Sequence, residues 1–312
     1  MDTSFKLHLD KGMVITGKWR RRRYRVERML GEGANGKVYL VERDRRLLAL
    51  KVGADTVDLQ SEINVLQALE GRAGSRAEPF LHDVDDLKLA GGKEYPFYVM
   101  KYVRGTKLPA FLAARGAEWF PIAGYNLLQR LAELHESGWA FGDLKMDNIL
   151  AAEYGHVELV DYGGVTAFGK SIRQFTEIYD RGYWNAGTRA SDAAYDLFSF
   201  GVLCVQLFQE KALYRHTAGT LPQNRSPQEL LKLASESPEL RPFAGWLERA
   251  FAGGFRNAED AGAAWSVVMR RIGTGGGPKK RTGAVPGWTK ALFLLSSGAL
   301  AAVLYWLLLG QG

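Results

Sequence analysis

Residues 141–150 read FGDLKMDNIL. Asp143, Lys145 and Asn148 interrupt an otherwise largely apolar stretch at the spacing D-x-K-x-x-N. Thirteen residues after Asn148, Asp161 follows the apolar run VELV and precedes Tyr162, Gly163 and Gly164. An aspartate at the end of a short strand, followed by glycine, is a frequent way to present a carboxylate to magnesium. Each of these residues alone is an ordinary turn residue. In this order and at these intervals they bring together a carboxylate, a lysine, an amide and a second carboxylate, a set suited to phosphate and a hard cation.

Further towards the N-terminus, residues 31–38 read GEGANGKV, which fits G-x-G-x-x-G-x-V through Gly31, Gly33, Gly36 and Val38. The same glycine spacing opens dinucleotide-binding folds, but there a helix follows directly. Here YRVERML precedes it and VYLVER and LLALKV follow, joined by the polar RDRR. The glycines are therefore expected to join two strands as a hairpin whose backbone can approach phosphates closely. Lys51 closes the third strand in an otherwise apolar run, and a lysine buried there needs a carboxylate partner. In DLQSEINVLQALE, residues 58–70, Leu59, Ile63, Leu66 and Leu69 form a stripe at helical spacing. Glu62 lies beside that stripe and is the candidate partner; Glu70, at the helix end, competes.

Together these motifs resemble the eukaryotic-type (Hanks-type) Ser/Thr protein kinase family, in its bacterial-like form, over about residues 24–271. The resemblance implies an α+β, two-lobed fold. An antiparallel sheet with one helix would span about 24–103 and a mostly helical lobe about 104–272, with ATP and Mg2+ in the cleft between them. It also implies roles for individual residues. Gly31, Gly33 and Gly36 would cover ATP, and Lys51, held by Glu62, would bind its α- and β-phosphates. Asp143 would be the catalytic aspartate and Lys145 the γ-phosphate lysine, with Asn148 and Asp161 holding magnesium. In YVMKYVRG, Met100 would be the gatekeeper and the backbones of Lys101 and Val103 would meet the adenine. Val38, Ala49 and Leu150 would enclose its ring. Asp196, in YDLFSFGVL, would brace the catalytic loop. The partners implied are ATP and protein substrates.

The departures from the family pattern are also informative. Its H-R-D reads Phe141, Gly142, Asp143 here, and glycine cannot receive an activating phosphate, so activity without a phosphorylated activation segment is expected. No A-P-E is visible in IYDRGYWNAGTRASD. Arg256, in GGFRNAED, resembles the usual partner of that glutamate and is left needing another. Thr176 resembles the threonine that borders the substrate site. Two other readings compete. One is a pseudokinase scaffold, which would have no need to retain Lys51, Glu62, Asp143, Lys145, Asn148 and Asp161 together. The other is a small-molecule kinase of the aminoglycoside or choline type, favoured by Gly142 but opposed by Lys145 and the intact glycine loop.

Composition and the chain ends bound the rest. A chain of 312 residues, 46% hydrophobic and 24% charged, excludes a disordered protein, a collagen-like fibre and a polytopic membrane protein. Its net charge of +7 selects no partner, and no nucleic-acid partner is expected. A single cysteine, Cys204, excludes an intramolecular disulfide, and five histidines without a cysteine cluster argue against zinc. Residues 18–25, KWRRRRYR, carry six positive charges in eight positions. They read either as a contact for phosphates or anionic lipid, or as a solvated strand edge in a basic segment, 1–23, that precedes the domain. Residues 273–287, GTGGGPKKRTGAVPG, read as a flexible basic linker. Residues 291–309, ALFLLSSGALAAVLYWLLL, contain no charge. As a helix they would span about 28 Å, close to the roughly 30 Å hydrocarbon core of a bilayer. Trp288, Tyr305 and Trp306 lie near the ends of this run, where interfacial aromatics are favoured. A transmembrane helix is therefore expected over 288–310. Lys279, Lys280, Arg281 and Lys290 place its linker, and the kinase domain, on the cytoplasmic side of a single-pass protein.

Overall fold

The structure is a computed structural model and describes residues 7–33, 36–70, 80–88, 92–173, 175–275 and 295–296. The chain divides into two units, Met1–Met269 and Arg270–Gly312. The first unit holds two lobes. The smaller is a six-stranded antiparallel sheet in the order β1-β2-β3-β4-β6-β5, formed by β1 (Val14–Thr16), β2 (Arg23–Gly33), β3 (Gly36–Arg43), β4 (Arg46–Gly53), β5 (Leu81–Lys88) and β6 (Glu94–Lys101). Period-two alternation gives it two apolar faces. Tyr24, Val26, Tyr39, Val41, Leu50, Val52, Phe97 and Val99 form one core. Ala49, Tyr98 and Met100 face the other way, against Leu59, Ile63 and Leu66 of helix α1 (Thr56–Glu70). The stripe read from the sequence is thus the face by which α1 packs on the sheet.

The sheet begins earlier than the expected boundary at residue 24. Strand β1 pairs with β2 through Val14–Arg25 and Thr16–Arg23, and Leu7, Leu9 and Ile15 lie in the sheet's core. The arginine run is in part tied down. Arg20 and Arg22 donate to the buried Asp83 at 3.0 and 2.8 Å, and the Tyr24 hydroxyl donates to the same carboxylate at 2.6 Å. Neighbouring Asp85 accepts from the backbone of Trp19 and Arg20 at 2.9 and 2.8 Å. Burial opposes the charge of Asp85, but the amides of Trp19, Arg20 and Asp86 outweigh it and hold its carboxyl below the usual range. The turn between β1 and β2 is therefore stitched to β5 by ionic and charge-assisted bonds.

The larger lobe contains α2 (Leu108–Arg115), α3 (Phe120–Glu136), α4 (Ala193–Gly219), α5 (Pro227–Glu236), α6 (Ala244–Phe251) and α7 (Ala258–Gly275). Short strands β7 (Thr106–Lys107), β9 (Ile149–Ala151) and β10 (Val157–Leu159) form a sheet in the order β10-β9-β7, and β8 (Trp139–Ala140) pairs with β11 (Thr166–Ala167). Leu127, Leu128 and Leu131 of α3 share a core with Leu197, Phe200 and Leu203 of α4. Phe120, Phe200, Phe243 and Trp246 surround the fully buried Trp265 at ring-centroid distances of 4.0–5.5 Å. This core fixes the loops that leave β8, β9 and β10. Among the described residues no helix is long and apolar enough to cross a membrane. All of the expected span, 288–310, except residues 295–296, and most of the expected linker lie outside the described residues.

Candidate active site

Three segments distant in sequence meet at one ammonium group. Lys51 on β4 donates from Nζ to Glu62 Oε1 of α1 at 2.6 Å and to Asp161 Oδ1 at 2.8 Å. Lys51 and Glu62 are 4% and 2% exposed. Burial opposes the charge on Lys51, but the two carboxylates outweigh it and keep the lysine protonated. The Tyr98 hydroxyl donates to the other Glu62 oxygen at 3.0 Å and completes that carboxylate's shell. Glu70 is engaged elsewhere, accepting from the Leu81 amide, so Glu62 is the partner of Lys51. Asp161 adopts a left-handed backbone, φ 67°, which is unusual for a non-glycine residue. Its carboxyl is held below the usual range: burial opposes its charge, but Lys51 outweighs burial.

The segment 141–150 forms a compact hydrogen-bonded loop. Asp143 Oδ2 accepts from Lys145 Nζ at 2.5 Å, and its Oδ1 accepts from the Thr176 hydroxyl at 3.0 Å. Asn148 uses its amide nitrogen on the Asp143 carbonyl at 2.9 Å, which leaves its amide oxygen as the atom that could ligate a cation. Behind the loop, fully buried Asp196 accepts from the amides of Phe141 and Gly142 at 2.7 and 2.9 Å and pairs with His135 Nε2 at 2.9 Å. This is the bracing expected of it. Phe141 is buried and packs edge-on against Tyr162, ring centroids 5.9 Å apart, so it fills an apolar site. Gly142 has φ +78°, and a Cβ there would stand 2.4 Å from the Gly164 carbonyl oxygen. This backbone excludes any side chain at that position, so the loop is built around the absence of the arginine.

The glycine hairpin joins β2 to β3 with Gly31 opposite Val38 and Gly33 opposite Gly36. Gly36, φ +146°, is required by the fold, because a Cβ would stand 2.1 Å from the Val52 carbonyl oxygen. At Gly31 and Gly33 nothing lies within 4 Å of the Cβ position. The fold does not demand glycine there, and the strand backbone is open to close approach. Ala49 and Met100 are register partners on β4 and β6, facing α1 with Val38. Leu150 lies half-buried on β9, across the cleft in the larger lobe. Lys101 donates its amide to the Phe80 carbonyl at 2.8 Å, so a base could meet its backbone only through the carbonyl. Val103 lies half-buried in the connection between β6 and β7. Among the described residues no group of three or more His, Cys, Asp or Glu could hold a metal. A magnesium site of one carboxylate and one amide oxygen, completed by phosphates, suits that ion's coordination habits.

Residues 24–244 match the protein kinase domain family. The chain belongs to the protein kinase family. It is 35% identical over 260 residues to the serine/threonine-protein kinase YabT of Bacillus subtilis (strain 168), covering 83% of this chain and 75% of that protein. It is 30% identical over 157 residues to a ribosomal protein S6 kinase beta of Caenorhabditis elegans, covering 45% of this chain and 27% of that protein. The solved structure of vaccinia related kinase 3 superposes with a TM-score of 0.60 at 15% identity, covering 86% of this chain and 94% of that one, which shows the shared fold. The family and the YabT relationship make this chain a serine/threonine protein kinase. Kinases of this family use ATP and Mg2+.

Arg256, left needing another partner by the missing A-P-E glutamate, has one in Asp260. Arg256, just before α7, is 88% exposed in its side chain and meets Asp260 in the first turn of that helix at 3.8 Å; among the described residues no ion pair joins it to the activation segment. The segment is held by cations that the motif reading did not single out. Arg225, buried, donates to Glu177 at 2.7 Å; Arg181 grips Asp192 with two bonds of 2.9 and 2.7 Å; Arg189 donates to Asp180 at 2.8 Å. A family motif locates Arg256, but nothing in the sequence marks Arg225 or Arg189, because their partners come from loop geometry.

Proposed function

We propose that this kinase transfers the γ-phosphoryl group of ATP to serine and threonine hydroxyls of proteins, and does so at a membrane to which residues 288–310 anchor it. The observation that carries the catalytic part is the junction of Lys51, Glu62 and Asp161, completed by Asp143 with Lys145, Asn148 and Thr176 around it. Phosphoryl transfer asks little covalent chemistry of the protein, so positioning and charge neutralisation dominate. Lys51 would hold the α- and β-phosphates, oriented by Glu62. Gly31, Gly33 and Gly36 would lie over the phosphates, and Val38, Ala49, Met100 and Leu150 would enclose the base, with the backbones of Lys101 and Val103 recognising its edge. Asp161 and Asn148 would hold magnesium, which when bound neutralises phosphate charge. Asp143 would orient the acceptor hydroxyl and take its proton, and Lys145 would stabilise the moving phosphoryl group.

The anchor is supported by the uncharged run 291–309, its flanking aromatics and the basic residues 279–281 and 290. The catalytic reading is tested by offering wild type and Asp143→Asn both protein acceptors and small alcohols such as choline and an aminoglycoside. Transfer to protein that is lost in Asp143→Asn is the expected result. Transfer confined to the small alcohols, or an Asp143→Asn enzyme of undiminished rate, would refute it.

A further inference from the structure

The sequence departs from the family pattern in two features, having no arginine before Asp143 and no visible A-P-E glutamate. Yet the loop that contacts Asp143 is tightly held. Its anchor is Asp180. This carboxylate is 0% exposed and accepts from the amides of Gly182 and Tyr183 at 2.7 and 3.2 Å, from Arg189 Nε at 2.8 Å and from the Tyr195 hydroxyl on α4 at 2.8 Å. A buried carboxylate with four donors is satisfied without a counter-ion from outside the segment and ties it to the helix that also carries Asp196. The grip extends outward through Arg189. Its guanidinium carbon stands 4.5 Å from the centre of the Phe175 ring and 4.7 Å from that of Tyr183, within cation–π range of both. Phe175 immediately precedes Thr176, whose hydroxyl meets Asp143 at 3.0 Å. An unbroken path therefore runs from Tyr195 through Asp180, Arg189 and Phe175 to Thr176 and the carboxylate.

We propose that Asp180 is the positioning residue of the protein-substrate loop. Together with Arg189 it seats Phe175 and Thr176 beside Asp143, so the acceptor platform is assembled without a phosphate. Neither residue touches ATP or the transferred group, so both act through Thr176. The proposal rests on the assignment of Asp143 as the acceptor-side carboxylate.

Two reactions of the full-length enzyme separate positioning from general damage: transfer to protein, which needs the platform, and hydrolysis of ATP by water, which does not. Dephosphorylated casein and the Asp143→Asn chain serve as protein acceptors. In Asp180→Asn the ratio of protein phosphorylation to ATP hydrolysis should fall at least tenfold through a raised KM for the protein, with the KM for ATP within twofold of wild type. Arg189→Gln, at a side chain 42% exposed, should fold normally and lower the ratio at least threefold. Should Asp180→Asn fail to fold, Arg189→Gln decides. An unchanged ratio in the folded variants, or both reactions falling in parallel, overturns the proposal and leaves Asp180 a purely structural residue. Asp143→Asn as catalyst is the control on the site itself: if it retains transfer, the assignment of Asp143 fails whatever Asp180 does.

Discussion

Lys51 shows how one side chain can be both a functional group and a structural one. It sits between a nearly inaccessible carboxylate, Glu62, and a half-exposed one, Asp161. Removing the ammonium should lower phosphoryl transfer by about 10² to 10³, the usual effect of losing one charged contact to a transition state. It should also strand Glu62 as a buried unpaired charge, which typically costs about 3–5 kcal/mol. Lys51→Met is therefore expected to be inactive and less stable in urea unfolding. Lys51→Met with Glu62→Gln should recover much of the stability and none of the activity. Recovery of activity in the double variant would remove Lys51 from the phosphate site. Gly142 makes the opposite case, a residue chosen for its backbone. Gly142→Arg restores the family motif on paper, but the left-handed φ and the 2.4 Å approach to Gly164 O mean the loop must distort. A left-handed non-glycine residue alone costs on the order of 1–3 kcal/mol. A lower Tm and a slower enzyme are expected, and a variant that gains phosphate-dependent activation without loss of stability would contradict this. That Lys51 and Glu62 meet was legible in the sequence, because a buried lysine needs a carboxylate within helical reach. The conformation of Gly142 was not, because a lone glycine in a motif reads as a lost side chain and not as a required torsion.

At the scale of elements, β5 shows where pattern reading fails. In its sequence, LHDVDDLK, Asp83, Asp85 and Leu87 form the buried face, two carboxylates where period-two patterning would put apolar residues. The arginines that cover Asp83 come from a turn more than fifty residues away, and no local pattern announces such a partner. For the same reason residues 1–23 read as a basic lead-in, although Leu7, Leu9 and Ile15 belong to the core. A chain starting at Tyr24 should therefore lose the small lobe's cooperative unfolding, measured by circular dichroism. The acid sensitivity of this stitch follows from Asp85. Its folded pKa is depressed, so as pH falls the unfolded chain, titrating near about 3.9, takes up its proton first. The stabilisation is complete above that value and disappears as pH falls further, towards the folded pKa. Asp85→Asn should be less stable than wild type at neutral pH, and the gap should narrow as pH falls below about 3.9 towards the depressed folded pKa. The activation segment follows similar logic. Thr166 is buried, its hydroxyl donating to Gly164 O at 2.9 Å, and Thr176 is occupied by Asp143. Ser171 is exposed, and Ser171→Ala should change the initial rate less than about tenfold, that is by less than about 1.4 kcal/mol of barrier.

For the whole molecule, the two-lobed architecture was foreseen because the motifs that meet in the cleft come from both lobes. Lys51 and Glu62 come from the sheet and its helix, and Asp143, Asn148 and Asp161 from the loops of the helical lobe. Where the enzyme acts would, with the proposed anchor, be decided by residues 288–310. An inserted helix and a charge-held domain differ in their response to salt. Attraction of Lys279, Lys280 and Arg281 to anionic lipid is worth about 1 kcal/mol per residue near the surface and is screened within a Debye length. Insertion of an uncharged nineteen-residue run is indifferent to salt. Membranes carrying the full-length kinase should therefore retain it through washes with high salt and then carbonate, and added protease should digest the kinase domain only from the cytoplasmic face. Helix α7 continues to Gly275, so a chain ending there keeps every residue assigned to the cleft. It should leave the membrane fraction and still phosphorylate protein. If the full-length protein leaves the membrane in high salt alone, the spanning helix is refuted and a peripheral enzyme held by its basic linker takes its place. If the shortened chain stays bound after the same wash, the attachment lies within the kinase domain itself.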